Sequence, residues 1–292
     1  MANREKLFLI DGNLYAYRAF YAIRSLSTSQ GYPTNAVYGF VTMLMKLLRE
    51  EKPGYLAIAF DLAAPTFRHR EFAEYKAQRP EMPEDLRRQI PLIKEVVSAF
   101  NIPIFELEGY EADDILATVA KKTEEEAREV FILTSDKDML QLVNSNIRVF
   151  SPSKKGLIYD VNKVRELFGV NPEQMPDVLA LWGDSSDNIP GVAGIGRKTA
   201  IKLIQKFGNL ENLLYNLDQV SNQRQRENLE KCARMAKLSK YLVTIKEDVP
   251  IPFDLNCCRV EKGNLPQLAE LFRKLEFKKL VREVESWESV LL

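Results

Sequence analysis

The chain has 292 residues, of which 46% are hydrophobic and 28% charged, and its 41 basic residues balance its 41 acidic ones. This composition is typical of a globular protein, and the length favours one large domain with a smaller one. One histidine and three cysteines exclude a zinc site and a disulfide framework, and any histidine-dependent catalysis would depend on His69 alone.

The first apolar run, residues 7–10, is too short for a signal peptide or a membrane span. We therefore expect a cytoplasmic protein that contacts no membrane. In that reducing compartment Cys232, Cys257 and Cys258 should stay as thiols.

Short apolar runs alternate with amphipathic helical patterns through the first half of the chain. The predicted strands are 6–10, 55–60, 102–105 and 130–133, with weaker ones at 147–150 and 157–159 joined by a turn at 153–156. The predicted helices between them are 36–50, 86–100 and 112–126. This alternation predicts an α/β domain whose central sheet is mainly parallel and flanked by helices.

The pattern becomes helical after about residue 171. Helices are predicted at 172–182, 197–207, 222–238 and 265–285, with an extended connector around Pro250 and Pro252. Charge also changes along the chain: residues 101–190 contain 9 basic and 17 acidic side chains, whereas residues 191–240 contain 10 basic and 4 acidic ones. An acidic block followed by a basic block suits a cation site beside a phosphate-binding surface.

Acidic residues follow each of the four main predicted strands. They are Asp11, Asp61, the Glu111, Asp113 and Asp114 group, and Asp136 with Asp138; Asp184 and Asp187 form a further pair. In an open parallel sheet the carboxyl ends of the strands share one edge, so these acids should meet there. A single acid after a strand is often a helix N-cap, but that alternative explains one acid better than the whole set.

So many carboxylates in one place would repel one another and raise one another's pKa values, unless cations compensate them. Oxygen ligands favour Mg²⁺ or Mn²⁺. Two such ions about 4 Å apart can activate and cleave a phosphodiester without a side-chain general base. The acids therefore predict a metal-dependent nuclease that uses two or more ions.

A basic and aromatic segment follows Asp61. Tyr75, Lys76 and Arg79 would share one helical face, where the cations could clamp a phosphate and the aromatic ring could stack on an unpaired base. Residues 61–90 contain six acidic and six basic side chains, however, so a solvated helix is the simpler interpretation. This segment alone decides nothing.

A glycine-rich loop, with Gly191, Gly194 and Gly196, joins two predicted helices. It is no P-loop, because Arg197 precedes Lys198 and no strand comes before it. Its freed amides at a helix N-terminus, with Arg197, Lys198 and Lys202, would bind DNA phosphates without reading sequence. The alternative is a tight turn with a packing role only.

These motifs resemble those of the flap-endonuclease (PIN-like) family, and within it most of all the 5′-nuclease domain of bacterial DNA polymerase I. They run in the family's order over nearly the whole chain: Ile10-Asp11-Gly12, Phe60-Asp61, Tyr75-Lys76-x-x-Arg79-Pro80, Glu111-Ala112-Asp113-Asp114, Asp136-Lys137-Asp138 and Gly183-Asp184-x-x-Asp187. The resemblance implies a PIN-like catalytic domain at 1–172 with a helical arch, and a helical DNA-binding domain at 173–292 that carries a helix–three-turn–helix.

The resemblance also implies roles for individual residues. The nine acids match the family's metal ligands, with Asp11, Asp61, Glu111, Asp113 and Asp114 nearer one ion and Asp136, Asp138, Asp184 and Asp187 nearer the other. Asp113 or Asp114 would lie between the two ions. Residues 67–89 would form the arch that the unpaired 5′ strand passes. Lys76 and Arg79 would reach the scissile phosphate with help from Arg18, and Tyr75 belongs to the same motif. The loop at 191–198 would bind duplex DNA and a K⁺ ion.

By resemblance the chain is a structure-specific 5′–3′ exonuclease and 5′-flap endonuclease that leaves a 5′-phosphate and a 3′-hydroxyl during replication and repair. Its partners would be DNA flaps, nicks and free 5′ ends, RNA primer ends, and a DNA polymerase in cis or in trans, with the nuclease itself a monomer. Two alternatives stay open: a PIN-type ribonuclease, which would need neither the glycine loop nor a second metal group, and a non-catalytic flap-binding module.

Overall fold

A single mixed sheet organises the first half of the molecule. The computed structural model describes residues 5–124, 128–152 and 156–287. Within these ranges the sheet has six strands in the order β3-β2-β1-β4-β5-β6. The strands are β1 (Lys6–Asp11), β2 (Tyr55–Ala59), β3 (Ile104–Phe105), β4 (Glu129–Leu133), β5 (Ile147–Ser151) and β6 (Leu157–Tyr159). The first five are parallel and β6 runs antiparallel to β5.

Helices cover both faces of the sheet and make up most of the second half. Those of the first half are α1 (Gly12–Ala22), α2 (Asn35–Glu51), α3 (Phe67–Glu71), α4 (Glu84–Arg87), α5 (Ile90–Ala99), α6 (Ala112–Glu124) and α7 (Val161–Phe168). Those of the second half are α8 (Met175–Trp182), α9 (Arg197–Phe207), α10 (Leu210–Tyr215), α11 (Gln223–Lys231), α12 (Ala233–Val243), α13 (Leu265–Lys274) and α14 (Lys278–Ser286).

The central strands are continuously apolar because both of their faces are buried. Leu7 and Leu9 of β1 face one hydrophobic core, which includes α6 and extends into α8–α12. Phe8 and Ile10 face a second core, formed with α1, α2 and α5. Full burial of such a side chain contributes about 1.5–3 kcal/mol, so the two cores together hold the sheet edge that carries the acids.

The last two helices pack back onto the sheet domain. Phe272 of α13 and Val284 of α14 are fully buried in the core with α2 and α5. Glu276, between these helices, accepts hydrogen bonds from the amide and hydroxyl of Ser29. Within the described part of the chain, no helix combines the length and the apolar character that a membrane crossing requires.

All six predicted strands are present, although the one predicted at 102–105 is only two residues long. Several predicted helices are divided. The helix predicted at 86–100 is α4 and α5, separated at Gln89, whose side-chain oxygen accepts from the amides of Ala36 and Val37. The helix predicted at 222–238 is α11 and α12, and the one predicted at 265–285 is α13 and α14, interrupted at Glu276 with a positive φ of 59°.

Helices α1, α7 and α10 were not predicted, because they are short or begin at turn-forming residues such as Gly12 and Asn209. Two sequence predictions extend outside the described residues. These are the end of the helix predicted at 112–126, of which α6 covers the part to Glu124, and the turn predicted at 153–156.

Candidate active site

The predicted acids from separate strands meet at one edge of the sheet. Asp11 ends β1, Asp61 follows β2, Asp136 follows β4, and Asp113 lies in the first turn of α6. All four line one cleft of about 680 Å³, together with Glu111. The parallel register of β1 with β2 and β4 places their carboxyl ends side by side, which is the physical reason for the meeting.

Three further acids form a compact group beside this cleft. Asp138, Asp184 and Asp187 are buried, and one carboxylate oxygen of each lies within 4.8 Å of the others. Asp138 is joined to the first group, since its amide donates to Oδ1 of Asp136 at 2.8 Å. Three carboxylates at this separation match the spacing that a divalent cation requires.

A tight glycine-flanked loop holds Asp184 and Asp187 in place. The amide of Asp184 donates to the carbonyl of Ile189 at 2.8 Å, and the amide of Ile189 donates back to the carbonyl of Asp184 at 2.7 Å. Gly183 and Gly191 approach so closely that a Cβ on Gly191 would lie 2.5 Å from the nitrogen of Gly183. Both have positive φ, so only glycine fits here.

The electrostatics of the cleft favour a bound cation. Burial and the neighbouring Asp61 raise the pKa of Asp11 to about 7. Burial and the charge of Asp136 raise the pKa values of Asp113 and Asp138 well above the ordinary range. One oxygen of Asp113 and one of Asp138 are buried with no hydrogen-bond partner among the described residues. Orphaned oxygens in an all-oxygen donor set fit a hard divalent cation.

Other acids of the site are already paired with cationic side chains. Lys76 Nζ lies 2.9 Å from Glu111 Oε1 and 3.8 Å from Asp187 Oδ2. Arg79 pairs with the other oxygen of Asp187. Lys137 pairs with Asp184. Burial raises the pKa of Asp184, but the hydrogen bonds from Lys137 and Ser186 outweigh it and hold that pKa below its usual value.

The prediction that Tyr75, Lys76 and Arg79 share one face of a helix is wrong. These residues lie in turns between α3 and α4, and Lys76 has a positive φ of 56°. The amide of Lys76 donates to the carbonyl of Asp187 at 3.0 Å, so this segment is tied to the acidic loop rather than wound as a helix. With the segment held in this position, the side chains of Lys76 and Arg79 line the cleft.

Tyr75 is only 3% exposed, so its ring is not available to stack on an unpaired base, the possibility that the sequence had left open. Its hydroxyl lies 3.1 Å from Glu111 Oε2 and 3.3 Å from Asp187 Oδ2, and its ring packs edge-on against His69. One hydroxyl proton can serve only one acceptor at a time. Tyr75 therefore helps to position Glu111 and Asp187 from the buried side of the site.

Asp114 lies away from the cleft, contrary to its predicted place beside an ion. It is completely buried, and its two oxygens accept hydrogen bonds from Arg68 at 2.7 and 2.8 Å. The amides of Glu111 and Lys246 also donate to it, at 3.1 and 2.9 Å. These donors already occupy the lone pairs that a metal ion would need.

Several other side chains of the cleft were missed by sequence reasoning. Tyr17 on α1, Lys137, Phe168 at the end of α7 and Trp182 at the end of α8 all line it. The position of Lys137 between Asp136 and Asp138 was a usable signal, whereas the aromatic residues gave none. Arg18, predicted to assist, is absent from the lining, and its Nη1 is buried without a hydrogen-bond partner in the described chain.

The predicted glycine loop joins α8 to α9. Gly191 and Gly194 have positive φ, and Gly196 is the N-cap of α9. Arg197, Lys198 and Lys202 of α9 are exposed. Arg197 also lines the cleft, where its guanidinium donates to the carbonyl of Leu167 at 2.7 Å. The basic helix and the acidic cleft are therefore adjacent.

Two family models match consecutive parts of the chain. Residues 6–169 match the "5′-3′ exonuclease, N-terminal resolvase-like domain" and residues 170–265 match the "5′-3′ exonuclease, C-terminal SAM fold". Both matches agree with the observed order of a mixed α/β sheet followed by helices. The predicted fold class and the family resemblance are confirmed.

Relatives of known identity are similar over nearly the whole chain. The 5′-3′ exonuclease of Aquifex aeolicus is 41% identical over 96% of this chain and 95% of its own length. DNA polymerase I of Bacillus subtilis is 44% identical over 97% of this chain. The chain spans about a third of the length of the DNA polymerase I relatives that it matches.

Solved structures share the fold. The T5 D15 protein crystallised with metal ions has a TM-score of 0.71 at 22% identity, over 96% of this chain and 99% of its own. The catalytic core of Rad2 in complex with a DNA substrate has a TM-score of 0.59 at 18% identity, over 96% and 93%. At these identities the likeness establishes the architecture alone.

Proposed function

The chain belongs to the 5′-3′ exonuclease family, and from that premise we propose that it hydrolyses DNA phosphodiesters at 5′ ends and 5′ flaps, leaving a 5′-phosphate and a 3′-hydroxyl. One observation carries the proposal. Acids from three strand ends and one helix start line a single cleft, and one oxygen of Asp113 lacks a hydrogen-bond partner among the described residues. Such an arrangement costs stability unless a cation uses it.

We propose Mg²⁺, or Mn²⁺, as the resident cation, in two or more copies. Asp11, Asp61, Asp113 and Asp136 would hold one ion, and Asp138, Asp184 and Asp187 another, with Glu111 beside the first. This proposal differs from the expectation by resemblance, which put Asp136 nearer the second ion, because Asp136 lines the cleft with the first group. The ions supply Lewis-acid stabilisation of the negative charge that develops on the phosphate oxygens. We place Asp114 outside the ligand set because Arg68 already occupies it.

The chain's own cations would bind and orient the scissile phosphate. Lys76 and Arg79 project into the cleft from the turns between α3 and α4, each now paired with an acid. A phosphate entering the cleft would offer these cations charge-assisted acceptors of the same kind. Lys76 and Arg79 would then move their hydrogen bonds from the acids to the phosphate, and Arg18 would add positive potential from α1.

The helical half would bind the duplex next to the cleft. The glycine loop at 191–196 and the exposed Arg197, Lys198 and Lys202 offer amides and cations for phosphates. We propose K⁺ as a further ligand of carbonyls in this loop. The solved complexes of Rad2 and of the T5 flap endonuclease with DNA support a nucleic-acid partner. Action as a cytoplasmic monomer alongside a DNA polymerase, attached or separate, is part of the same proposal.

A cleavage assay tests this proposal. A 5′-labelled flap duplex, a blunt duplex, a single strand and an all-RNA flap are each incubated with Mg²⁺ or with EDTA. We expect Mg²⁺-dependent cutting that prefers the DNA flap, and no cutting by Asp136→Asn. Preference for RNA would indicate a PIN-type ribonuclease. Binding without cutting would indicate a flap-binding module, and EDTA-insensitive cutting of every substrate would overturn the assignment.

A further inference from the structure

A completely buried arginine lies behind the acidic cleft. Arg68 of α3 is 1% exposed and is the largest fully buried side chain among the described residues. Its main partner, Asp114, is completely buried too, and the two form a bidentate ion pair at 2.7 and 2.8 Å. Two desolvated charges add little net stability compared with apolar side chains of the same size, so a role other than stability is worth seeking.

The guanidinium of Arg68 joins three separate parts of the molecule. Besides Asp114 in the first turn of α6, Nη1 donates to Glu111 Oε2 at 3.3 Å. Nε donates to the carbonyl of Leu242 at 2.8 Å, and Nη2 donates to the carbonyl of Thr244 at 3.2 Å. These carbonyls lie at the C-terminal end of α12, where a cation is also favoured by the helix dipole.

Asp114 also connects the start of α6 to the segment that follows α12. It accepts from the amide of Glu111 at 3.1 Å and from the amide of Lys246 at 2.9 Å, two residues beyond the C-cap of α12. The pair therefore links the start of α6, which carries Glu111 and Asp113, to the end of α12 in the helical half. No other described residue between these elements is both charged and below 2% exposed.

We infer that Arg68 and Asp114 are a positioning pair, which takes no metal ion and sets the place of Glu111 and Asp113 relative to the end of α12 in the helical half. The inference rests on the proposed function, because Glu111 and Asp113 belong to the proposed metal site. Without this pair Glu111 would lose two fixed contacts: Arg68, which donates to its carboxylate, and Asp114, which accepts from its amide. Outer partners of metal ligands typically change affinity or activity by about 10–100-fold.

The first test compares two adjacent acids by metal binding alone. Mn²⁺ titrations, followed by calorimetry and without DNA, are made on wild type, Asp113→Asn and Asp114→Asn. We expect Asp113→Asn to lose an ion or at least about tenfold in Mn²⁺ affinity, and Asp114→Asn to keep the wild-type number of ions. Loss of an ion from Asp114→Asn to the same extent as from Asp113→Asn would make Asp114 a ligand and overturn the inference.

A double variant separates positioning from folding, because Asp114→Asn leaves a buried charge without its partner. Arg68→Met combined with Asp114→Leu removes both charges at similar volume, so that no buried charge is left without its partner. The matched control is Lys240→Met with Asp177→Leu, an ion pair at 2.6 Å inside the helical half. Thermal unfolding, Kd for a flap duplex, kcat and KM are measured for both.

We expect the Arg68 and Asp114 double variant to fold but to melt below wild type, because four backbone groups lose their partners. Below its melting temperature it should bind the flap within about threefold of wild type and lose roughly 10–100-fold in kcat. The control should keep its kcat. The inference would be overturned if the Arg68 and Asp114 double variant kept the wild-type kcat. It would also be overturned if the control lost as much kcat as the double variant. If wild type itself cuts no DNA, the proposed function fails while the Mn²⁺ comparison still decides the role of Asp114.

Discussion

Seven acids of the site fall into two groups that differ in their charge partners. The unpaired acids, Asp11, Asp61, Asp113 and Asp136, form no ion pair within the described residues, and burial raises the pKa of each. The paired acids, Glu111, Asp184 and Asp187, are bound by Lys76, Arg79 or Lys137. Carboxylates of one site therefore carry uncompensated charge in one group and compensated charge in the other.

This difference in pairing indicates that the unpaired acids lack a cation, whereas the paired acids already have lysine or arginine partners. The unpaired acids repel one another and need a cation from solution. The paired acids hold lysine and arginine side chains that could be released, either to a phosphate or in exchange for a metal ion. Metal binding and phosphate binding should then depend on different groups, and this can be tested by removing members of each.

The largest effect should come from removing one acid from each group. Asp136→Asn and Asp184→Asn should each lower the single-turnover cleavage rate by more than about 100-fold, beyond what outer partners of a metal typically cost, because each deletes a ligand. Binding of the flap should persist in both variants. The control is Asp160→Asn, which changes only the N-cap of α7. Retained cleavage in either variant would remove that acid from the site.

The next effect concerns pH. The folded protein without metal binds more protons than the unfolded chain between the ordinary aspartate pKa of 3.8 and the raised value of about 7 at Asp11. Its free energy of unfolding should therefore fall as pH rises through this window, by about 2–4 kcal/mol. Urea unfolding in EDTA at pH 5 and pH 8 measures the fall.

Two comparisons check the assignment of that pH effect. Asp11→Asn should make the dependence shallower, because it removes one of the acids whose pKa is raised. Saturating Mg²⁺ should reduce the dependence by stabilising the ionised form at pH 8. Stability that rises with pH in EDTA would contradict the description of the unpaired acids.

A smaller effect is expected at Lys137, where removing a side chain should strengthen metal binding rather than weaken it. Lys137→Met removes the cation that neutralises Asp184, so Mn²⁺ should bind roughly 3–10-fold more tightly, while the metal-free protein should melt lower. Calorimetric titration and thermal unfolding measure the two changes. Lys163→Met, which breaks a surface pair with Glu166, is the control. Weaker Mn²⁺ binding would show that Lys137 supports the ion rather than competing with it.

The smallest effect should come from the helical half. Lys198→Ala should weaken flap binding modestly and lower the slope of log affinity against log salt by about one, with kcat unchanged, because it removes one phosphate contact. Lys46→Ala, on the exposed face of α2, should leave the slope as it is. An altered kcat in Lys198→Ala would place this residue in the catalytic step instead.

Sequence reasoning located the sheet and most of the acids because both depend on local pattern. Four apolar runs that each lead to an acid are enough to predict that Asp11, Asp61, Asp113 and Asp136 meet. It did not reveal the burial of Tyr75 and Asp114, because that burial depends on distant elements. Asp114 contacts Lys246, 132 residues later in the chain, and no spacing of residues reveals such a partner.

The sequence by itself therefore determined the α/β order, the strand-end acids and the basic helix beyond them, since strand periodicity and parallel pairing follow from neighbouring residues. Only the tertiary structure decided which acids are compensated by Lys76, Arg79 and Lys137 and which are not, and that Arg68 removes Asp114 from the cleft. Charge compensation depends on distances across the fold, and these distances exist only once both cores have packed.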